Sequence, residues 1–256
     1  MDYWFLFPTG VLIAVLGMSS GVSGSNFWIP VYLLWMQLEP RVAFWTSLLT
    51  MLFGFGSGMV KNLMAGTIDM ELVRHYLKVM APATAVGALA SPRLPITALL
   101  LAFSAFVICY ALFLLYDSRP GKAEPERHER MFWGVAGIGG FLHGSIATGS
   151  GTLILPCLLH HRRLAHHAVA VGTTVTLAFV CSVISVSFRV DGALWESLME
   201  NRSLILAMIA FSGPGVIVGG QLGPMVAQRL PRSWLRRYVA VLLIGVGALV
   251  ALRALG

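Results

Sequence analysis

The sequence predicts an all-α polytopic membrane protein with two inverted-topology repeats, each a short-helix hairpin (re-entrant or half-helical) followed by three transmembrane helices. Three observations lead to this fold class. Of the 256 residues, 57% are hydrophobic and only 11% are charged, against about 25% charged residues in a soluble domain. The uncharged stretches match membrane helices in length, and short motifs recur in the same order in both halves. This composition excludes a soluble enzyme, a disordered protein and a fibrous protein.

The basic excess points to lipid rather than to nucleic acid. The net charge is +7, from 18 Lys and Arg against 11 Asp and Glu. The basic residues lie in short gaps between apolar runs, as in loops beside anionic lipid. The three cysteines lie inside apolar runs without metal-site or disulfide spacing, which is typical of buried thiols. We therefore expect membrane lipid as a partner, no nucleic acid, and neither a metal nor a cofactor.

The first predicted element is a hairpin within residues 3–38. This stretch contains 36 residues without Asp, Glu, Lys or Arg. A straight helix of that length would measure about 54 Å, which is too long for one crossing. The sequence GMSSGVSGSN at 17–26 interrupts the stretch and predicts two short helices. Three spans of the first half follow, at 42–60, 75–92 and 96–116.

A polar linker, DSRPGKAEPERHER, separates the two halves. We therefore expect an N-terminal repeat at 1–116, a cytoplasmic linker at 117–130 and a C-terminal repeat at 131–256. In the second hairpin, the sequence GSIATGSG at 144–151 leaves about 12 residues for each leg, enough to reach only the midplane. The sequence does not decide whether the hairpins cross the bilayer fully. The spans of this half are predicted at 164–188, at 203–228 with glycine–proline interruptions, and near 235–252.

Two sets of motifs recur in order on the two sides of the linker. The first half contains Ser23-Gly24-Ser25, Pro30, Ala43 and Thr46-Ser47, and the second contains Gly149-Ser150-Gly151, Pro156, Ala170 and Thr173-Thr174. The pattern P-x4-G-x3-S/G-P then occurs at Pro82, Gly87 and Ser91-Pro92, and again at Pro214, Gly219 and Gly223-Pro224. Two matches in the same order favour a duplicated fold over chance.

The distribution of charge predicts the topology. An odd number of crossings in each half inverts the second half relative to the first. This arrangement places 13 of the 18 basic residues on one side, which is the cytoplasmic side by the positive-inside rule. Both termini then lie outside, and the two hairpin turns approach each other near the middle of the bilayer.

The two turns and the helix after each of them form the candidate binding site. Irregular backbone at membrane depth is tolerated only where protein or a wet cavity satisfies it, and helix N-termini offer unpaired N–H donors suited to an oxyanion. The candidate substrate-binding residues are Ser23, Gly24, Ser25, Asn26, Thr46, Ser47, Thr148, Gly149, Ser150, Gly151, Thr152, Thr173 and Thr174. The alternatives are close packing of small residues and, for the hydroxyls in the next helices, hydrogen bonds to their own helix backbone.

The donors in the turns are neutral, with no arginine to hold an anion too tightly. His143, just before the second turn, is a candidate for proton coupling, and Cys157 is a candidate contact for a sulfur-containing substrate. For both residues the alternative is inert packing. Four more histidines flank Arg162 and Arg163; their spacing is poor for a metal, and we interpret them as a loop that attracts anions. These are His160, His161, His166 and His167.

The paired turns, each followed by Pro and then by Ala-x-x-Thr-Ser or Ala-x-Gly-Thr-Thr, resemble the TauE/SafE (sulfite exporter) family of membrane permeases. VGALASP at 86–92 and VGGQLGP at 218–224 are similar to its later glycine-rich helices, and the resemblance covers about residues 10–250. It implies an exporter or permease of sulfite, an organosulfonate or a related sulfur oxyanion, and no enzyme activity. We expect this transporter in the bacterial cytoplasmic (inner) membrane, with a small anionic sulfur compound as its partner and a homodimer as one oligomeric state.

Other functions fit parts of the sequence. Gly149-Ser150-Gly151 near several histidines resembles the serine and base of an intramembrane serine hydrolase. The first turn repeats the motif without a matching histidine, which argues against that alternative. A non-transporting assembly partner is a further alternative. A metal or cation permease of the same fold is another, because broken helices also present carbonyl groups, but carboxylates are nearly absent at the midplane.

Overall fold

The structure is a computed structural model that describes residues 3–20, 22–117, 129–159, 167–229 and 232–255. These ranges are predominantly helical and contain no strand. The described helices of the first half are α1 (Leu6–Ser20), α2 (Ser25–Pro30), α3 (Pro40–Met64), α4 (Met70–Ala90) and α5 (Ile96–Asp117). Those of the second half are α6 (Glu129–Ile146), α7 (Ser150–Leu159), α8 (His167–Phe188), α9 (Gly192–Glu200), α10 (Arg202–Arg229) and α11 (Arg232–Leu255).

Five described helices are long and apolar enough to cross a membrane, at Pro40–Met64, Ile96–Tyr116, Ala168–Phe188, Arg202–Gly223 and Arg237–Leu255. Shorter apolar helices lie at Tyr3–Met18 and Ser150–Leu159. The predicted fold class, an all-α polytopic membrane protein, is confirmed. Helices α1 and α2 flank the first predicted break, and α6 and α7 flank the second. Helix α6 has 18 residues and begins at Glu129, so it is longer than the leg of about 12 residues that the sequence predicted and takes up the end of the predicted linker.

Local sequence explains where several helices begin and end. Pro40 starts α3 at the position where its missing N–H costs nothing. Asp69 caps α4, since its carboxylate accepts the N–H groups of Glu71 and Leu72 at 3.1 and 3.0 Å. After α2, the chain widens into a π-helical turn at Val31–Trp35, directly behind the proline that ends α2. The sequence did not predict this turn.

Two further elements differ from the predictions. The short helix α9 lies between α8 and α10 and is capped by Asp191, which accepts the Leu194 N–H at 2.8 Å. The glycine–proline interruptions expected within 203–228 are absorbed into the continuous helix α10. Gly215 serves helix packing instead of ending the helix. A Cβ on Gly215 would lie 2.3 Å from the Phe7 carbonyl oxygen, so the absence of a side chain lets α1 pack closely on α10.

The main helix contacts run between the halves. Helix α1 packs on α10, α6 packs on α4, α5 on α11, and α3 on α8. The glycines of the repeated motif lie in the first two of these contacts. A Cβ on Gly87 of α4 would lie 2.2 Å from the Phe141 carbonyl oxygen of α6. A Cβ on Gly219 of α10 would lie 2.4 Å from the Val11 carbonyl oxygen of α1. Each motif glycine therefore lets one half approach the first helix of the other.

This exchange of partners is what a two-fold relation between the halves would produce. The inverted orientation of the repeats, and the division at 1–116, 117–130 and 131–256, stay predictions. Residues 118–128 of the linker lie outside the described residues.

Candidate functional site

The two breaks meet inside the molecule. The Thr148 hydroxyl of the second turn donates a hydrogen bond to the side-chain oxygen of Asn26, which follows the first turn. Both side chains are fully buried. Residues 122 positions apart in the sequence are therefore in direct contact.

The first turn is largely satisfied by its own polar groups. The Ser23 and Ser25 hydroxyl oxygens are 2.7 Å apart, and the N–H groups of Asn26 and Phe27 donate to backbone carbonyls. The sequence predicted unpaired N–H donors at the start of each short helix, but the tight turn at the start of α2 uses these two N–H groups. Gly24 has an ordinary helical backbone (φ −61°), so it is needed for space: a Cβ there would lie 2.9 Å from the Met51 sulfur.

The second turn has a more unusual backbone. Ala147 has φ 59° and Gly149 has φ 121°, in the region that favours glycine. The Leu153 N–H donates to the Gly149 carbonyl at 2.9 Å and begins the regular bonding of α7. The first three residues of α7, Ser150 to Thr152, have N–H groups with no partner inside the helix. The second turn therefore keeps an open helix N-terminus.

A small internal hollow lies beside this N-terminus. Gly151 is buried, yet a Cβ built on it would meet no atom within 4 Å beyond its chain neighbours and the backbone of its own helix. Four other described glycines have equally open space, and all four are exposed: Gly66, Gly134, Gly192 and Gly245. The combination of burial and open space at Gly151 marks room inside the protein, beside the positive end of α7.

Several buried polar atoms of the predicted site have no hydrogen-bond partner among the described residues. They are the Asn26 side-chain nitrogen and the hydroxyls of Thr46 and Thr152. Thr152 lies in the first turn of α7, and Asn26 holds Thr148 through its other side-chain atom. Buried polar groups are costly without a partner. These groups are therefore available to a ligand.

Other predicted hydroxyls are already engaged. Ser47 donates to the Phe44 carbonyl at 2.7 Å, and Thr174 donates to the Ala170 carbonyl at 2.7 Å, as the backbone-bonding alternative describes. Thr173 accepts the Asp69 N–H at 3.1 Å, next to the start of α4. In this structure these three hydroxyls serve helix and loop contacts.

His143 lies in a chain of hydrogen bonds within the second half. Its Nδ1 is 2.8 Å from the Ser150 hydroxyl, and its Nε2 is 3.0 Å from the Ser182 hydroxyl. Ser182 donates to the Ala178 carbonyl, so it accepts from Nε2–H, and Nδ1 then accepts from Ser150. A neutral His143 therefore holds the Ser150 proton away from the hollow. This series of hydrogen bonds ends at the Ala178 backbone carbonyl and not at a carboxylate.

Cys157 is buried, in an apolar cluster that includes Ile154 and Leu158. This burial is what the packing alternative describes, and a contact with a sulfur-containing substrate stays a prediction. Among the described residues, no group of three His, Cys, Asp or Glu is placed to hold a metal ion. His160, His161 and His166, with Arg162 and Arg163, lie outside the described residues.

The sequence interpretation missed Arg189. It follows α8 directly and was not among the candidate site residues, but only 1% of its surface is exposed. Its guanidinium donates to the Gly144 carbonyl at 3.3 Å, close to the second turn. The signal available in the sequence was an arginine directly after an uncharged span. That signal does not distinguish a side chain that snorkels outward from one that turns inward.

Comparisons with known proteins agree with this architecture. The sequence model of the family described as "Sulfite exporter TauE/SafE" matches residues 6–250. A relative from Bacillus subtilis (strain 168), the "Probable membrane transporter protein YunE", is 24% identical over 277 residues, covering 96% of each chain. No solved structure matches. Because the family match covers nearly the whole chain, the protein belongs to the TauE/SafE family and is a multi-pass membrane transporter.

Proposed function

We propose that this transporter carries a small anion, most simply sulfite, an organosulfonate or a related sulfur oxyanion, and binds it near mid-bilayer at the hollow beside Gly151. The observation that carries the proposal is the buried open space at the N-terminus of α7. The family description, sulfite exporter, indicates the class of substrate.

The chemistry of the hollow favours an anion over a cation. The N-terminus of α7 carries partial positive charge and free N–H groups, which stabilise an oxyanion and repel a metal ion. The Asn26 side-chain nitrogen and the Thr152 hydroxyl are further neutral donors without partners. Neutral donors bind an anion through hydrogen bonds alone, so release costs less than it would from a tight ion pair.

The polar side chains that the structure describes in both turns are at most 4% exposed. We interpret this burial as an occluded arrangement, in which the site is closed to solvent. Transport then requires one side to open at a time. The interfaces between the halves, α1 with α10 and α4 with α6, are where such a rigid-body movement would separate the predicted inverted repeats.

His143 is the candidate for proton coupling. When its ring is protonated, Nδ1 becomes a donor and no longer accepts the Ser150 proton. The Ser150 O–H is then free to turn toward an anion in the hollow. Protonation and anion binding would therefore favour each other at this residue.

The membrane orientation and assembly are part of the same proposal. We place the protein in the bacterial inner membrane with both termini outside, because 13 of its 18 basic residues then lie on the cytoplasmic side. Lipid surrounds the spans, and a homodimer is one assembly that the exposed apolar helix faces would allow.

A hydrolase is the second candidate, favoured by the 2.8 Å contact between Ser150 and His143. The histidine is oriented by Ser182, which lacks the negative charge that a carboxylate supplies in a catalytic triad. We therefore infer no enzyme activity. A fluorophosphonate probe should not label Ser150; labelling of the wild type that Ser150→Ala removes would support hydrolysis instead.

Thermal unfolding of detergent-purified protein tests the substrate class. Sulfite, thiosulfate, sulfate, sulfoacetate, taurine and divalent metal salts are compared at equal ionic strength. A ligand at a hundred times its Kd should stabilise the protein by about 2.7 kcal/mol. We expect this from one or more sulfur oxyanions. Stabilisation by metals alone would overturn the proposed substrate class.

A further inference from the structure

Arg189 is a buried charge in the region between the second turn and the side of the molecule where α3 begins. Only 1% of its surface is exposed. Removing a guanidinium from water is costly unless a negative group compensates it. The contacts of the Arg189 side chain therefore show whether a negative group compensates its charge.

No carboxylate in the described part of the chain forms an ion pair with Arg189. One terminal nitrogen, Nη1, donates to the Gly144 carbonyl at 3.3 Å, and the guanidinium lies 5.1 Å from the centre of the Phe44 ring. The other terminal nitrogen, Nη2, is buried and has no hydrogen-bond partner among the described residues. A carbonyl dipole and an aromatic face compensate a buried guanidinium only in part.

Arg189 lines a narrow cleft together with a second arginine, Arg41. The cleft is lined by Arg41, Ser91, Pro92, Arg189, Asp191 and Leu194. Arg41 Nε is also buried without a partner in the described part of the chain, while the rest of its side chain reaches solvent. Asp191 is the carboxylate in this lining, and it lies 4.0 Å from Arg41 while also capping α9. Two positive charges thus face one negative charge.

We propose that Arg189 and Arg41, with Asp191 and Ser91 beside them, form a second anion site that receives the transported oxyanion on the outer side of the central hollow. The free Nη2 of Arg189 and Nε of Arg41 are the donors that would bind it. Arg189 holds Gly144, the residue after His143, so the second site adjoins the helix that ends at the second turn. Partial exposure of Arg41 gives the site a route to solvent.

This inference rests on the proposed function, because it adds a second anion-binding site to the same transport pathway. A pathway with two sites allows an anion to leave the neutral central donors for a charged site nearer the surface. The cleft is too small to admit a water molecule in this structure, so an anion can enter only if the lining moves. We expect the moving element to be α9, which contributes Leu194 and is capped by Asp191.

Isothermal titration of full-length protein in detergent with sulfite, and separately with sulfate, tests the inference. The wild type should bind two anions per chain. Gly151→Val, which fills the central hollow, should leave one site. Adding Arg189→Gln or Arg41→Gln to Gly151→Val should weaken that site by about 10- to 100-fold, the loss of one charge-assisted hydrogen bond. Arg253→Gln removes an exposed charge on the same predicted side and should change nothing.

The outcomes separate the two proposals. No anion binding by Gly151→Val, or residual binding that neither arginine substitution weakens, would overturn the second site. Two sites in Gly151→Val, of which one depends on Arg189, would support the second site and count against the central hollow instead. The Arg41 variant guards against misfolding, because its side chain is partly exposed and Arg189 is not.

Discussion

At the scale of single residues, the contact between Asn26 and Thr148 joins the two halves of the chain. Thr148→Val keeps the shape of the side chain and removes the donor, while Asn26→Ala removes the acceptor. A double-mutant cycle should give a coupling of about 0.5–1.5 kcal/mol, as for one buried neutral hydrogen bond. Thermal unfolding in detergent measures it. Strictly additive effects would mean that the two turns do not interact.

Gly149 and Gly245 provide a matched pair of glycine substitutions. At φ 121°, Gly149→Ala should destabilise the protein by about 1–3 kcal/mol, because L residues rarely adopt this backbone. Gly245→Ala, in an exposed helix position with open space, should be neutral or stabilising by up to about 1 kcal/mol. Denaturation of both variants tests this. Equal stabilities of the two variants would contradict the positive φ of Gly149 in the second turn.

The candidate residues were predictable from the sequence only as a set. Glycine and serine clusters inside overlong apolar stretches marked both turns, and the structure brings Asn26 and Thr148 together. The sequence does not show which backbone N–H groups a tight turn consumes, so it could not show that those of Asn26 and Phe27 donate to carbonyls of the turn itself. It also does not show which way an arginine points at the end of a span, so Arg189 was missed.

At the scale of elements, close helix contacts depend on the paired motif glycines. Gly87→Ala and Gly219→Ala would each place a Cβ within 2.4 Å of a carbonyl oxygen of the facing helix. Each should therefore destabilise the protein by about 1–3 kcal/mol through overpacking. Gly134→Ala, at an exposed position on α6, is the control and should have no such effect. Unfolding midpoints that match the control in both variants would contradict the packing described.

The lengths of apolar stretches predicted most elements correctly, because the bilayer sets how long a helix can be. They failed where tertiary contacts decide. Helix α10 continues through Gly213-Pro214-Gly215, where Gly215 packs closely on Phe7 of α1 and Gly213 on Phe53 of α3, whereas the sequence indicated a break. The short helix α9 carries charged residues and lacks the length of a span, so a search for spans overlooks it.

At the scale of the whole molecule, the central prediction is the inverted relation of the halves. An odd number of crossings in each half requires both termini to face the same side and the linker at 117–130 to face the other. We expect epitope tags fused at either end to be accessible to antibody in intact spheroplasts. A tag inserted in the linker should become accessible only after lysis. Termini on opposite sides would rule out the inverted repeat.

The proposed binding site depends on both halves of the molecule, because it needs both turns and the open N-terminus of α7. The most direct measurement is binding of ³⁵S-sulfite to purified wild type, Gly151→Val and Gly245→Val. Filling the hollow with a valine side chain should abolish binding at the central site, while the same substitution at an exposed glycine should leave it intact. Unchanged binding and uptake by folded Gly151→Val protein would contradict a central anion site at this position.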